Sequence, residues 1–251
     1  MASYHQTMNS QPIEGHQKAA VIAYYSQWDG RRTYVNPATV VQAVQRRRLP
    51  SHARILDMGF GNGEIALALA RAHPQGVVEG VDLTRRNVEL AETKAREQGI
   101  ENARFWVADV ETWEPPAGRY HAVVAMQVMQ FIADPDGLIR RVFRALRPGG
   151  AFLFATPFLP PDPSLHPFFL DAYARVVPNS FQYRTEDAWY EGLFAAGFHR
   201  IYTAKAHWDP NAQPEGWQRA YRQAVAAHSL DFETARRHTW GGLISARKPQ
   251  T

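Results

Sequence analysis

The chain has 251 residues, of which 45% are apolar and 12% aromatic, and this is enough to bury the core of a full α/β domain. It contains no cysteine, which excludes disulfides, thiolate zinc sites and catalysis by a cysteine nucleophile. The formal charge of +4 leaves nucleic-acid binding as a minority interpretation, because many arginines fall at helical spacing and no RNA-binding signature accompanies them.

The sequence contains no apolar run of about 18 residues, the length that marks a membrane-spanning helix. Its first residues also lack the apolar or arginine-rich pattern of a targeting peptide. The sequence therefore predicts neither a membrane span nor an export route, and the cytoplasm is the expected location. It leaves the oligomeric state open, with a homo-oligomer allowed.

Two helices are predicted before the first strand. Residues 16–28 place apolar and aromatic side chains on one helical face, and residues 37–47 form a second helix with Pro37 in its first turn. We predict that residues 1–50 form an N-terminal arm and helical cap, and that residues 51–251 form the main α/β domain.

A glycine-rich turn follows the first strand. Gly59, Gly61 and Gly63 stand at two-residue steps before a helix that begins at Glu64. A dinucleotide fingerprint would need a glycine where Glu64 stands, so this motif is a different one. Glycines let the backbone turn sharply and approach a ligand closely. Asp57, just before them, would repel a phosphate and attract an amino-acid ammonium group.

Three successive strands carry an aspartate at or near their carboxyl ends. The strands are predicted over residues 53–60, 76–83 and 103–110, and the aspartates are Asp57, Asp82 and Asp109. The carboxyl ends of parallel strands meet at one edge of a sheet, so we expect the three carboxylates to lie along that edge. Thr84 is predicted to N-cap the helix that follows the second strand, and Thr185 is predicted to N-cap a later helix.

With these residues in place, the sequence resembles the class I S-adenosylmethionine-dependent methyltransferases, in particular small-molecule enzymes of the ubiquinone-biosynthesis type. The resemblance rests on DMGFGNG at residues 57–63, on the aspartates of the next two strands and on LRPGGAFLFATP at residues 146–157. It implies a Rossmann-like, doubly wound, seven-stranded and mostly parallel sheet. The last strand, residues 239–247, is expected to run antiparallel to its neighbours.

The resemblance also implies S-adenosylmethionine as the cofactor and no metal. The residues implied to bind the cofactor are Asp57, Gly59, Gly61, Gly63, Asp82, Leu83, Asp109, Val110, Met126, Gln127 and Tyr25. Asp82 would accept hydrogen bonds from the ribose hydroxyls, as an acidic residue about 20 residues beyond a glycine loop can do. Asp109 and the N–H of Val110 would hold the adenine, and Leu83 would lie against its face.

The fourth strand, predicted over residues 120–128, departs from the family pattern. Relatives commonly begin it with an aspartate, where this chain has His121. Gln130 is implied to face the substrate. The chain has no Asp/Asn-Pro-Pro-aromatic motif, which argues against methylation of exocyclic base amines.

Two insertions are predicted to cover the carboxyl ends of the strands, at residues 158–184 and 207–235. Prolines in the first are dense enough to predict that it forms no continuous helix. Aromatic residues in both favour an apolar pocket for a flat or hydrophobic molecule, although the same rings could instead pack the insertions onto the sheet. The candidate catalytic residues are His166, Tyr24 and Gln130, with His16 and His207 as further candidates for a base.

The sequence thus predicts an enzyme that transfers a methyl group to an O or C atom of a small aromatic or apolar metabolite, as in secondary metabolism, by direct displacement. A small-molecule acceptor is the expected partner. Two alternatives stay open. One is a cofactor-binding protein of the same fold that does not transfer the methyl group, such as a scaffold or a cyclase-like catalyst. The other is an RNA methyltransferase.

Overall fold

The computed structural model describes residues 35–176, 183–207, 209–212 and 215–250. The predicted helix at residues 16–28 lies outside these ranges. Tyr24 and Tyr25 therefore remain sequence-based candidates.

Seven strands form one sheet in the order β3-β2-β1-β4-β5-β7-β6. The strands are β1 Arg54–Met58, β2 Val77–Asp82, β3 Ala103–Val107, β4 Tyr120–Met126, β5 Leu146–Phe158, β6 His199–His207 and β7 Trp240–Arg247. The pairs from β3 across to β5 are parallel, whereas β7 runs antiparallel to both β5 and β6. This confirms the predicted doubly wound, mostly parallel sheet with an antiparallel last strand. The strand order reverses between β1 and β4, which is where ligands bind in open α/β sheets.

Eight α-helices are described: α1 Pro37–Gln45, α2 Glu64–Ala72, α3 Arg85–Glu97, α4 Pro135–Ala145, α5 His166–Val176, α6 Glu186–Ala195, α7 Glu215–Ala227 and α8 Phe232–Arg237. The hydroxyl oxygens of Thr84 and Thr185 accept hydrogen bonds from backbone N–H groups at the starts of α3 and α6, as predicted. Within the described ranges, no helix is both long and apolar enough to cross a bilayer.

Apolar side chains cover both faces of the sheet, as parallel strands require. Leu56 of β1 belongs to the core beneath α4 and α6, where Trp189 is fully buried. Ile55, the preceding residue, belongs to the opposite core, beneath α1, α2 and α3. Each such buried aliphatic side chain stabilises the fold by about 1.5–3 kcal/mol. The sheet is therefore a rigid platform, and its carboxyl edge has a fixed geometry.

A third core, here named the cap cluster, joins the two insertions. Its buried members are Leu159, Leu165, Phe168, Phe169, Ala172, Tyr173, Tyr183, Tyr221, Ala224, Val225 and Ala235. The first insertion is not one continuous helix, as predicted, but it contains α5, which extends over 11 of its residues. Most of the prolines precede α5, and Pro167 occupies its first turn, where no intrahelical N–H is needed. The division of the chain at residue 50 stays a prediction.

Candidate functional site

The predicted acidic residues lie at the carboxyl edge of three adjacent strands. Asp57 belongs to β1, Asp82 is the last residue of β2, and Asp109 follows β3 by two residues. The parallel register pairs Asp57 with Gly80 and Asp82 with Val107, so the three aspartates lie at different heights along the strands. Sequence order and strand direction together thus place the three aspartates along the carboxyl edge of the sheet.

The glycine turn connects β1 to α2 in a conformation that glycine alone adopts easily. Gly59, Gly61 and Gly63 have φ values of 68°, 58° and 81°. A Cβ on Gly59 would lie 2.5 Å from Val128 Cγ2, and one on Gly63 would lie 2.7 Å from Ala91 Cβ. A Cβ on Gly61 would have no described atom within 4 Å. The outer two glycines are needed for packing, and the middle one faces open space that a ligand could fill.

Asp82 connects the glycine turn to the start of α3. One oxygen, Oδ2, accepts a hydrogen bond from the Gly61 N–H at 2.9 Å. The other, Oδ1, accepts bonds from the Thr84 N–H, the Thr84 hydroxyl and the Asn87 amide at 2.9–3.0 Å. Burial raises the pKa of Asp82, while these four donors act in the opposite direction and favour the carboxylate. Sequence reasoning missed Asn87, although its place in the first turn of α3 is a usable signal.

Asp57 is buried but not satisfied. Its side chain is 1% exposed, and its Oδ2 atom has no hydrogen-bond partner among the described residues. Burial, and then the neighbouring charge of Asp82, raise the pKa of the Asp57 carboxyl to about 8. Unpaired buried carboxyl oxygens are costly, so this one suggests a missing cationic partner. A ligand ammonium group beside the open space at Gly61 fits these residues.

The predicted adenine-binding residues lie beyond β3 and β2. Asp109 Oδ1 accepts a hydrogen bond from the Glu111 N–H at 3.0 Å, and the Asp109 carbonyl accepts one from the Trp113 N–H at 2.8 Å. Asp109 therefore shapes the turn after β3. Val110 is buried in the core, and Leu83 is half-buried. Their roles toward adenine stay predictions.

The carboxyl end of β4 carries a pair of glutamine side chains. Gln127 has a φ of 58°, which is unusual for a residue with a Cβ, and its N–H donates to the Ala155 carbonyl at 2.9 Å. The Gln130 amide nitrogen donates to the Gln127 side-chain oxygen at 3.1 Å. Gln130 is 5% exposed, and its own Oε1 has no hydrogen-bond partner among the described residues. Met126, the last residue of β4, is buried. A second unsatisfied polar group thus lies at the carboxyl edge of the sheet.

His166 is the first residue of α5, in the first insertion. Its Nε2 lies 2.8 Å from the Pro160 carbonyl oxygen. A carbonyl can only accept, so Nε2 is the donor in this hydrogen bond, and in the neutral ring Nδ1 has the lone pair that a general base needs. The hydrogen bond at Nε2 joins His166 to Pro160 of the same insertion. His166 therefore belongs to a different part of the chain from Asp57, Gln127 and Gln130, which lie at the carboxyl edge of the sheet.

The aromatic residues predicted to line a pocket pack against one another instead. The rings of Tyr173 and Tyr183 stack with centroids 4.3 Å apart, and the ring of Phe168 meets that of Tyr221 at 5.3 Å. These residues and Phe169 are all buried in the cap cluster. The described rings therefore hold the two insertions together, which is the alternative that the sequence had left open.

His121, the departure from the family pattern, lies at the opposite edge of the sheet. It is the second residue of β4, and its Nδ1 accepts a hydrogen bond from the Arg54 N–H at 3.0 Å. Its ring also meets that of His52 edge-on. The substitution thus has a structural role, remote from the glycine turn. Across the described ranges, no three histidine, aspartate or glutamate side chains cluster as metal ligands would.

Comparison with known proteins points to one family. Residues 55–150 match a family model described as a methyltransferase domain. The chain is 35% identical over 135 residues to trans-aconitate 2-methyltransferase of Variovorax paradoxus, covering 54% of this chain and 49% of that protein. It is 28% identical over 187 residues to malonyl-[acyl-carrier protein] O-methyltransferase of a Paenibacillus species, covering 70% of this chain and 66% of the relative.

A ubiquinone biosynthesis O-methyltransferase of Coxiella burnetii is 27% identical over 122 residues, covering 49% of this chain and 50% of that protein. The chain thus spans about half to two thirds of the length of these curated relatives.

Solved structures share the fold. YcgJ of Bacillus subtilis superposes with a TM-score of 0.70 at 21% identity, covering 86% of this chain and all of YcgJ. The [4+2]-cyclase SpnF superposes with a TM-score of 0.67 at 21% identity, covering 94% of this chain and 95% of SpnF. The matched domain, the strand order and the glycine turn after β1 agree with one another. Residues 55–150, 96 of the 251 residues of the chain, therefore match a methyltransferase domain.

Proposed function

We propose that the protein transfers a methyl group from S-adenosylmethionine to an O or C atom of a small aromatic or apolar metabolite by direct displacement. The observation that carries this proposal is the buried Asp57 carboxyl, near the end of the strand that leads into the glycine turn, whose Oδ2 has no hydrogen-bond partner among the described residues. Of the common nucleoside cofactors, S-adenosylmethionine is one that carries an amino-acid ammonium group, which such a carboxyl attracts.

In this proposal each part of the cofactor meets a different element. Asp57 would pair with the ammonium group, and the space over Gly61 would take the chain that leads to the ribose. Asp82 Oδ2 accepts one hydrogen bond from the protein and has a second lone pair for a ribose hydroxyl. Asp109 and Val110 would flank the adenine. Tyr25, from the segment before residue 35, is a further candidate contact.

The bound cofactor supplies a methyl group that its sulfonium activates toward displacement. The protein must then align the acceptor and exclude water, and such alignment can contribute roughly 7–11 kcal/mol in favourable cases. Gln130 would orient the acceptor through its unpartnered Oε1, held in place by Gln127. His166, with its free lone pair on Nδ1, would take the acceptor's proton, a role that contributes about 10²- to 10⁴-fold. Tyr24 is an alternative base.

The relatives favour oxygen as the attacked atom. Two of the three named above are O-methyltransferases by name, and the third acts on trans-aconitate. Since the described aromatic rings pack within the cap cluster, the preference for an aromatic or apolar acceptor rests on the sequence prediction that the two insertions cover the carboxyl edge of the sheet. We place the acceptor between the carboxyl edge of the sheet and the cap cluster. The proposal also keeps the division of the chain near residue 50 and a location in the cytoplasm.

Binding of S-adenosylhomocysteine, measured by isothermal titration calorimetry, tests the cofactor site. Asp82→Ala should weaken this binding by about 10- to 100-fold, because a charge-assisted hydrogen bond contributes roughly 1.5–3 kcal/mol. Asp82→Asn keeps the size of the side chain and should lose a similar amount if the charge is what the ribose needs. Asp231→Ala is the control, because Asp231 accepts the N–H and hydroxyl of Thr234 at the start of α8, as Asp82 accepts those of Thr84 at the start of α3, but at an exposed place. Equal affinities in all variants would contradict the site.

A cyclase-like function on the same fold is the second candidate, since SpnF shares the architecture. Incubation with methyl-labelled S-adenosylmethionine and candidate acceptors separates the two. Incorporation of label into the acceptor supports methyl transfer, and turnover without label supports the cyclase. An RNA methyltransferase would instead bind RNA with a steep dependence on salt.

A further inference from the structure

Two aspartates on neighbouring strands have opposite surroundings. Asp82 accepts four hydrogen bonds from the glycine turn and the start of α3. Asp57 is equally buried, yet its Oδ2 has no partner among the described residues. Two buried carboxylates close together repel each other, so one of them tends to hold a proton. The hydrogen bonds fix the negative charge on Asp82, and the proton falls to Asp57.

The charged groups around Asp57 do not offset this preference. Its register partners are Gly80 of β2 and the apolar Val124 of β4, and the charge of Asp82, two residues beyond Gly80, acts on it. The next charged residue along the glycine turn is Glu64 at the start of α2, whose carboxylate pairs with Lys94 of α3 at 3.5 Å. Lys94 is therefore already engaged at the surface. The burial that raises the pKa of Asp57 to about 8 acts in the same direction as the geometry.

We infer that Asp57 is a neutral carboxylic acid in the ligand-free protein and gives up its proton when the ammonium group of the cofactor binds beside it. This rests on the proposed function and specifies how the same site selects its ligand. The Asp57 side chain is then uncharged in the free protein and becomes a carboxylate only when the ammonium group is bound. The free site thus avoids a second buried charge next to Asp82.

The exchange balances in protons and charge. Asp57 as COOH and the ligand as R–NH₃⁺ become the ion pair COO⁻ and R–NH₃⁺, and one H⁺ goes to solvent. Near pH 7 the ammonium form of an α-amino group prevails, since its ordinary pKa is about 7.7–8.0. Above about pH 8 the free Asp57 is itself largely ionised, and a ligand amine that has lost its own proton takes one up from solvent to form the ion pair. Net release should therefore be close to one proton at pH 7, fall to zero near pH 8 and become net uptake at higher pH.

Calorimetry of S-adenosylhomocysteine binding in phosphate and in Tris at pH 7 measures this release, because the two buffers differ in ionisation enthalpy. The wild-type protein should release close to one proton for each ligand bound. Asp57→Asn, which is nearly isosteric, should release close to none and should bind more weakly. Asp109→Asn is the matched control, and it should keep the wild-type proton release whatever its affinity.

A second probe covers the case in which Asp57→Asn does not fold. 5′-Methylthioadenosine carries the nucleoside without the ammonium group, and it should bind the wild-type protein with no proton release. Binding of S-adenosylhomocysteine without proton release at pH 7, or equal release with both ligands, would overturn the inference and leave the proposed function intact. Failure of S-adenosylhomocysteine to bind at all would overturn the proposed function and this inference together.

Discussion

Buried carboxyl groups have different surroundings toward the amino ends and at the carboxyl ends of the strands. Toward the amino ends of the strands, the carboxylate of Glu79, the third residue of β2, is buried and pairs with Arg54 at the start of β1 and with Arg119 just before β4; Glu79 is 4% exposed. At the carboxyl edge, Asp57 is 1% exposed and has an oxygen without a partner among the described residues. Both groups are polar and buried on the same rigid platform. Burial alone therefore does not distinguish the two carboxyl groups, whereas the missing partner of Asp57 does.

The same contrast holds for the neutral polar groups. His121 near the amino edge accepts the Arg54 N–H and belongs to a satisfied network. Gln130 near the carboxyl edge keeps a buried oxygen without a partner among the described residues, beside Gln127 in a left-handed conformation. Local strain and unsatisfied polar atoms concentrate at functional sites because a ligand completes them. The following variants test whether the two edges really differ in this way.

Gly59→Ala should have the largest effect, because it combines a left-handed φ with a Cβ only 2.5 Å from Val128. We expect the free energy of unfolding to fall by about 2–4 kcal/mol in urea denaturation. Gly61→Ala has a similar φ but no described neighbour within 4 Å of the new Cβ. Its free energy of unfolding should fall by only about 1–2 kcal/mol. Its affinity for S-adenosylhomocysteine should fall at least as much as the affinity of the Gly59→Ala protein that remains folded. The reverse order of stabilities would contradict the packing described here.

Arg119→Ala should destabilise the amino edge, because it removes the strongest partner of the buried Glu79. The free energy of unfolding should fall by about 1–3 kcal/mol, since Glu79 then keeps the weaker contact with Arg54 and the hydrogen bond with Tyr120. The affinity of the folded protein for S-adenosylhomocysteine should not change. A large loss of affinity would show that the two edges are not independent.

Asp57→Asn should stabilise the protein at alkaline pH, in contrast to Arg119→Ala. The folded state holds the Asp57 proton up to about pH 8, whereas an unfolded aspartate loses its proton near 3.8. The unfolded state therefore binds fewer protons between these values, and the Asp57 contribution to stability falls as pH rises from about 4 to about 8. The variant removes this loss and should be about 2 kcal/mol more stable than the wild type at pH 8, with little difference at pH 4. Denaturation at the two pH values measures it, and a variant less stable at pH 8 would show that Asp57 has a native cationic partner.

His121 should produce the smallest effect. Burial, with Arg147 and His52 nearby, lowers its pKa in the folded protein from the ordinary 6.5. The unfolded state thus takes up a proton first, and the hydrogen bond from the Arg54 N–H contributes fully above pH 6.5 and is lost as pH falls below it. Its loss should cost about 0.5–1.5 kcal/mol. His121→Asn keeps an acceptor and should lack this acid dependence, whereas a variant with the wild-type acid dependence would exclude His121 as its source.

Much of the fold could be predicted because each signal was local. The helix caps at Thr84 and Thr185, the glycines and the strand patterns each depend on a few neighbouring residues, and the structure places them as expected. The helix α5 was not predicted because the prolines were considered only by their density in the insertion. A proline before a helix or in its first turn does not interrupt it, so the position of each proline relative to the first turn of α5 is what matters. The short helix α8 was also missed, although Asp231 caps it.

The site was predictable in its acidic residues but not in their charge state. Strand order brings Asp57 next to Asp82, and no sequence pattern states which of the two receives hydrogen bonds. The same limit applies to the aromatic residues. Phe168 and Tyr221 come from two insertions far apart in sequence, and only their meeting in the cap cluster shows that they pack rather than line a pocket. Contacts between distant segments are what periodicity and spacing do not encode.

A crystal structure with bound S-adenosylhomocysteine tests the central claim most directly. We expect the ligand nitrogen within about 3 Å of Asp57 Oδ2, the distance of a charge-assisted hydrogen bond, with the ligand passing over Gly61 toward Asp82. A complex in which the ligand ammonium group contacts other residues, while Asp57 Oδ2 stays buried without a partner or is paired with a protein cation, would contradict it.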